Sequence, residues 1–175
     1  MRNISFMVSG FFLTTLVTGL VAQESGPSTT IKRLTSQGSA EEVGTVSFRD
    51  SQYGMIIEPK LEGLPPGPIG VHVHENPSCA VGENGAPGIG AGSHYDPLGK
   101  GQHMGPYGDG HLGDLPNMFV EQDGTVNIPV LAPRLRISDL VGRSLMIHAS
   151  RDDYHQHADH NHGAGGARAY CGIID

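Results

Sequence analysis

The sequence predicts an all-β domain, a sandwich or barrel of short strands joined by many turns. Three observations carry that prediction. Glycine supplies 26 of the 175 residues, beside 12 prolines and no tryptophan. That is roughly twice the usual glycine share, and it favours short strands and turns over long helices. Apolar and polar residues then alternate in short runs bounded by Gly, Pro, Asp and Ser, the pattern of half-buried strands. Finally, the length suits one domain with a real core, and neither an internal repeat nor a collagen-like glycine period is present.

The chain opens with an address. Arg2 gives a positive start, residues 4–21 are mostly apolar and uncharged, and Ala22 offers a small residue for cleavage. Residues 1–22 therefore read as a secretory signal peptide, leaving 23–175 as a single exported domain. A membrane anchor is the alternative, since the apolar stretch sits at the lower limit for spanning a bilayer. No cysteine lies near the cut, against a lipid anchor. Losing Arg2 changes the net charge from −7 to −8, with 10 Lys and Arg against 18 Asp and Glu. So acidic a chain is not expected to bind nucleic acid or to stay on an anionic membrane surface.

In order, Thr30 to Thr35 and Val43 to Arg49 read as strands, the second with Val46 and Phe48 on one face. Met55 to Leu61 is a third strand, weakened near its end by Pro59, and Leu64-Pro-Pro-Gly67 is a turn. Gly70 to Glu75 is the fourth. The stretch from Val81 to Pro116 is a long irregular loop, of a kind that is usually functional. Met118 to Glu121 and Val126 to Leu131 read as a hairpin about Asp123-Gly124, with Pro129 placing the second arm at an edge or bulge. Ile137 to Leu140 reads as a single helical turn, capped by Ser138 or held by Asp139. Ser144 to Ala149 is a strand, a second loop runs from Ser150 to Ala167, and Arg168 to Ile174 is the last strand.

Five of the ten histidines fall between Gly70 and Asp114. In His72-Val73-His74 the rings are two residues apart, so on a strand both point to one face and can reach one ion. Val71 and Val73 then face the core. His94, His103, His111 and Asp114 offer three nitrogens and a carboxylate, a set that suits tetrahedral zinc. A polar strand without metal is the common reading of an isolated His-x-His, and the full string weighs against it. Cys79 and Cys171 are an even pair in an exported chain, which implies a disulfide, with two buried thiols as the alternative. Closing that loop would add about 4–5 kcal/mol on a chain-entropy account.

The motifs Gly70-Val-His-Val-His-Glu75, Gly92-Ser-His-Tyr-Asp-Pro97, Gly110-His-Leu-Gly-Asp114, Leu145-Met-Ile-His148 and Gly166-Ala-Arg-Ala-Tyr-Cys-Gly172 resemble those of copper/zinc superoxide dismutases. Asp114-Leu-Pro116 and Pro129-Val-Leu-Ala-Pro-Arg134 resemble the bacterial exported branch, and the likeness runs from about Thr30 to Ile174. The resemblance implies a Greek-key β-barrel or sandwich of about eight antiparallel strands with two long functional loops. It implies one copper ion on His72, His74, His94 and His148, and one zinc ion on His94, His103, His111 and Asp114, with His94 shared. It implies that copper cycles between Cu(II) and Cu(I) as superoxide becomes dioxygen and hydrogen peroxide, and that His94 serves as proton donor. Arg168 would attract the anion, Asp152 would link ligands of the two metals, and Cys79 would pair with Cys171. The same branch implies a periplasmic or otherwise exported location, with a monomer or a homodimer left open.

Four histidines remain, His155, His157, His160 and His162. Such a run departs from the family pattern, in which this loop is polar without clustered histidines. It reads as an accessory site that captures copper or zinc. A solvated loop is the alternative, and a third is a loop that turns cationic below a pH of about 6.5. The run also favours a rival function, a metal-buffering protein of the same fold, whereas Arg168 and the complete ligand set favour the enzyme.

Overall fold

The computed structural model describes residues 26–155 and 165–175. The proposed signal peptide, 1–22, lies outside the described residues, as do His157, His160 and His162. Among the described residues there are nine strands: β1 (Ser28–Thr35), β2 (Gly38–Ser51), β3 (Gly54–Leu61), β4 (Gly67–Ile69), β5 (Val71–His74), β6 (Met118–Val120), β7 (Val130–Ala132), β8 (Arg143–His148) and β9 (Arg168–Ile174). Seven form one antiparallel sheet in the order β5-β8-β9-β1-β2-β3-β7, which curls, and β4 pairs with β6 in a small second sheet. The all-β expectation holds.

The two hairpins that start the sheet use one device. Thr35 Oγ1 accepts from Gln37 N and donates to Gly38 O, and Ser51 Oγ does the same with Tyr53 N and Gly54 O. Each turn closes on a glycine with positive φ, 119° at Gly38 and 137° at Gly54, a region that side chains avoid. Pro59 is tolerated for a local reason. The amide of Leu61, two residues on and so pointing the same way, bonds to Val126 O, while β7 pairs with β3 only as far as Ile57. Position 59 therefore faces a gap between these partners, where a missing N–H breaks no ladder. Ile31, Val46, Phe48, Ile57, Val71, Val73, Leu145 and Ile147 meet in the main core.

Several expectations need correction. The Asp123-Gly124 turn is present, with Gly124 N bonded to Glu121 O, yet its arms do not pair as a hairpin. Met118–Val120 pairs with β4, Val126 bridges to Leu61, and Val130–Ala132 pairs with β3. Pro129 interrupts the second arm, and each arm pairs with a different neighbour. Gly67, the last residue of the expected Leu64–Gly67 turn, instead opens a short strand, Gly67–Ile69. The long loop carries one 3-10 turn at Ile89–Ala91. A second 3-10 turn, Ile137–Asp139, is held by Asp139, whose Oδ2 accepts from Arg136 N at 2.8 Å.

Cys79 and Cys171 form a disulfide with Cα atoms 5.8 Å apart. It ties the loop after β5 to β9 and packs in a small cluster with Leu34, Ala91 and Met146.

Candidate metal centre

Strand β5 builds the site. Its four side chains are all buried, with Val71 and Val73 in the core and His72 and His74 on the opposite face, as a period of two requires. One edge of β5 pairs with β8, and the long loop covers the other. Val73 N donates to Gly113 O at 2.9 Å and Tyr95 N donates to Val73 O at 2.8 Å. This pairing sets Asp114 opposite His72 and His94 opposite His74, so the loop's ligand candidates share a face with the strand's. Gly113 allows the approach, because a Cβ there would lie 2.2 Å from Val73 O. On the β8 side, His148 comes from the strand's end.

Two four-residue groups result, each with ligand atoms within 4.8 Å of one another: His72, His74, His94 and His148, and then His94, His103, His111 and Asp114; a third set, His72, His103 and Asp152, spans the two. His94 belongs to both, its ring stacked 4.1 Å from that of His72.

The outer partners fix which ring nitrogens are bare. His72 donates from Nε2 to Asp152 Oδ2 at 2.8 Å, which leaves a lone pair on Nδ1. His148 donates from Nδ1 to Gly166 O at 2.9 Å, leaving its lone pair on Nε2. These two lone pairs face each other at 3.0 Å, a repulsion that a shared proton or a metal ion between them relieves. His74 donates from Nδ1 to Gly92 O at 3.0 Å, and its Nε2 is buried with no hydrogen-bond partner among the described residues. Three bare nitrogens thus converge, a donor set suited to copper.

The second group follows the same logic. His103 donates from Nε2 to Asp152 Oδ1 at 3.0 Å, which turns Nδ1 toward Asp114 Oδ1, also at 3.0 Å. Asp114 Oδ1 also lies 2.9 Å from His94 Nδ1 and 3.4 Å from His111 Nδ1. One carboxylate oxygen among three imidazoles calls for a cation, and the set fits zinc.

The titration of these groups agrees. Burial, reinforced by neighbouring rings, pushes His72 and His74 well below the ordinary histidine value. Burial brings His148 down to about 4, against the opposing bond to Gly166, and it lowers His94 despite Asp114. All four are therefore neutral, as ligands must be. His103 goes the other way: burial lowers it, but bonds to Asp114 and Asp152 outweigh that and raise it to about 9. Burial would raise Asp114, yet its bonds to His103, His111 and His94 hold it far below the usual carboxylate range. With no metal bound, His103 is thus held in its protonated form beside Asp114, 3.0 Å away.

Asp152, 2% exposed, touches both His72 and His103 and so joins the two groups, while the adjacent Asp153 is exposed. Arg168 is half-buried, with Nη1 on Gly88 O at 2.6 Å and Nη2 on Gly92 O at 2.7 Å. Its charge helps to depress His74 and His148, which sets it beside the first group. His155 is exposed and joins neither group.

Other contributors were not found from sequence. Asn117 exchanges two 2.8 Å bonds with the Asp152 backbone, Tyr154 N donates to Asp152 Oδ1, and the Tyr154 hydroxyl accepts from Asn117 N. Tyr154 does this at a φ of 61°. The carbonyls of Gly92 and Gly166 set ring orientation. Backbone acceptors carry no residue signature, and a lone Asn or Tyr carries no spacing signal.

A family profile described as copper/zinc superoxide dismutase matches residues 42–174. The chain belongs to the copper/zinc superoxide dismutase family. The superoxide dismutase [Cu-Zn] of Haemophilus parainfluenzae is 45% identical over 163 residues, covering 88% of this chain and 86% of that protein. That of Brucella melitensis biotype 1 is 39% identical over 175 residues, 97% of this chain and the whole of the other. Among solved structures, the Cu/Zn superoxide dismutase from Brucella abortus superposes with a TM-score of 0.79 at 42% identity, covering 85% of this chain and 98% of that one. For a copper/zinc superoxide dismutase, two adjoining groups that share one histidine are the fitting arrangement, and copper and zinc are the metals that the family implies.

Proposed function

We propose that this protein dismutes superoxide to dioxygen and hydrogen peroxide, binding one copper and one zinc ion per chain. The observation that carries the reading is the convergence of bare nitrogens on His72, His74 and His148, with the Arg168 guanidinium alongside. His72, His74, His94 and His148 would hold copper, and His94, His103, His111 and Asp114 would hold zinc. Bound copper would supply the one-electron exchange that lets one superoxide be oxidised and the next reduced. The chain's own residues do the rest. Arg168 draws the anion toward the first group, against a net charge of −7 over the whole chain. His94, with Nδ1 against Asp114, has Nε2 left for the first group, and that nitrogen holds and gives up one of the two protons that hydrogen peroxide needs, the other coming from water. Asp152 orients His72 and His103 together, so the two groups keep one geometry. The functional unit is residues 23–175 after export, where a disulfide is maintained.

Metal content and superoxide consumption, measured on the same disulfide-intact mature protein, test this. The expected result is about one copper and one zinc per chain, with turnover that falls as salt rises and drops at least about tenfold in Arg168→Glu. Several coppers per chain with slow, salt-insensitive turnover would instead indicate metal buffering, seated in residues 155–162.

A further inference from the structure

The segment between His103 and His111 has little regular structure to hold it. It is rich in glycine, with φ of 68° at Gly105, and its backbone tie to the preceding chain is the bond from His111 N to Gln102 O at 2.8 Å. Such a segment is costly to order. Arg134, just past β7 in sequence, reaches across to it. Nε donates to Pro106 O at 3.0 Å, Nη1 to Gly110 O at 3.0 Å, and Nη2 to Gly105 O at 3.1 Å and to His111 O. All four acceptors are backbone carbonyls of one loop, so the cation is spent on loop shape rather than on an ion pair. A planar fork of fixed donors suits that task.

We propose that Arg134 is a positioning residue for the second metal group: it holds residues 105–111 in the ligating conformation before metal arrives, and so sets that group's affinity and geometry. The clamp reaches one ligand candidate directly, through the His111 carbonyl. Preordering matters because the metal then spends none of its binding free energy on closing a glycine-rich loop. The inference rests on the metal-centre reading, and its test separates the two.

Cobalt(II) is the probe, titrated against a competing chelator into metal-free, disulfide-intact protein and followed by its visible bands, which report tetrahedral coordination. Arg134→Lys keeps the charge and the stem, but one ammonium cannot serve four carbonyls; Arg134→Gln removes the charge as well. Both should bind cobalt about tenfold or more weakly, with altered bands, while far-UV dichroism and copper(II) affinity stay close to wild type. In the metal-free wild type, amide exchange over residues 105–111 should be slowed relative to both variants. Wild-type cobalt affinity and bands in both variants, with only a lowered melting temperature, would overturn the proposal. Exchange over 105–111 in the metal-free wild type at the rate of an unstructured peptide would overturn it too, even if neither variant folds. A wild type that takes no cobalt would overturn the metal-centre reading itself, and this inference with it.

Discussion

Asp152 fixes two rings at once, with Oδ2 on His72 Nε2 and Oδ1 on His103 Nε2. It thereby decides that Nδ1 is the ligating nitrogen of both. Asp152→Asn keeps the size but offers a single acceptor oxygen and an NH2 that opposes the remaining ring N–H. Metal affinity of both groups should fall about 10–100-fold, measured as retention of copper and zinc against a graded chelator. If only one metal were lost more readily, the idea of a shared brace would fail. Six residues of the two groups were legible in sequence, because His-x-His on a strand, three further histidines and Asp114 carry a spacing, while His148 came only through resemblance. Asp152 was legible only through resemblance, and its exposed neighbour Asp153 was an equal candidate by composition. Arg134, Asn117 and Tyr154 were not legible as parts of the site. Arg134 and Asn117 act on backbone atoms and Tyr154 reaches Asp152 through its own amide, and no residue pattern encodes a backbone group.

At the scale of elements, β5 matters through both of its edges. Its ladder with β8 sets His72 beside Met146, and the loop on its other edge delivers His94 and Asp114 in register. Most strands followed from alternation, since burial on one face leaves a period of two. The Val126 to Leu131 arm did not, because Pro129 frees it from the Asp123-Gly124 turn, and a turn signal cannot say which strand each arm will join. The close crossing of the loop over β5 gives a sharp test. A Cβ at Gly113 would lie 2.2 Å from Val73 O and 2.9 Å from Tyr95 N, all on backbone that carries ligand candidates. Gly113→Ala should cost about 1–3 kcal/mol in urea unfolding and should also lower metal retention, since the bonds that register Asp114 and His94 must part. An unchanged midpoint with full metal content would show that the loop can yield without disturbing β5.

For the whole molecule, the two metal groups make opposite demands on protons when no metal is bound. His148 sits at about 4 in the folded chain against an ordinary 6.5, and His72 and His74 are shifted the same way. Below 6.5 the unfolded chain binds more protons than the folded one, so stability falls as pH drops through that window. His103 sits at about 9 against the same 6.5, so here the folded chain binds more protons. Its contribution is complete below 6.5 and is lost as pH rises through about 9. The metal-free, disulfide-intact protein should therefore be most stable near its midpoint, at a pH of about 6.5, and should weaken on both sides. Urea unfolding between pH values of about 5 and 9 would trace the dome. His103→Asn should flatten its alkaline limb and leave the acid limb intact, because the acid limb belongs to the other group. Zinc should flatten the alkaline limb in the unmutated chain, by replacing the proton that His103 shares with Asp114. Stability that stays level or rises from 6.5 to 9 in the metal-free protein would mean that no such proton is held, and that the second group is not the preformed cation site its geometry describes.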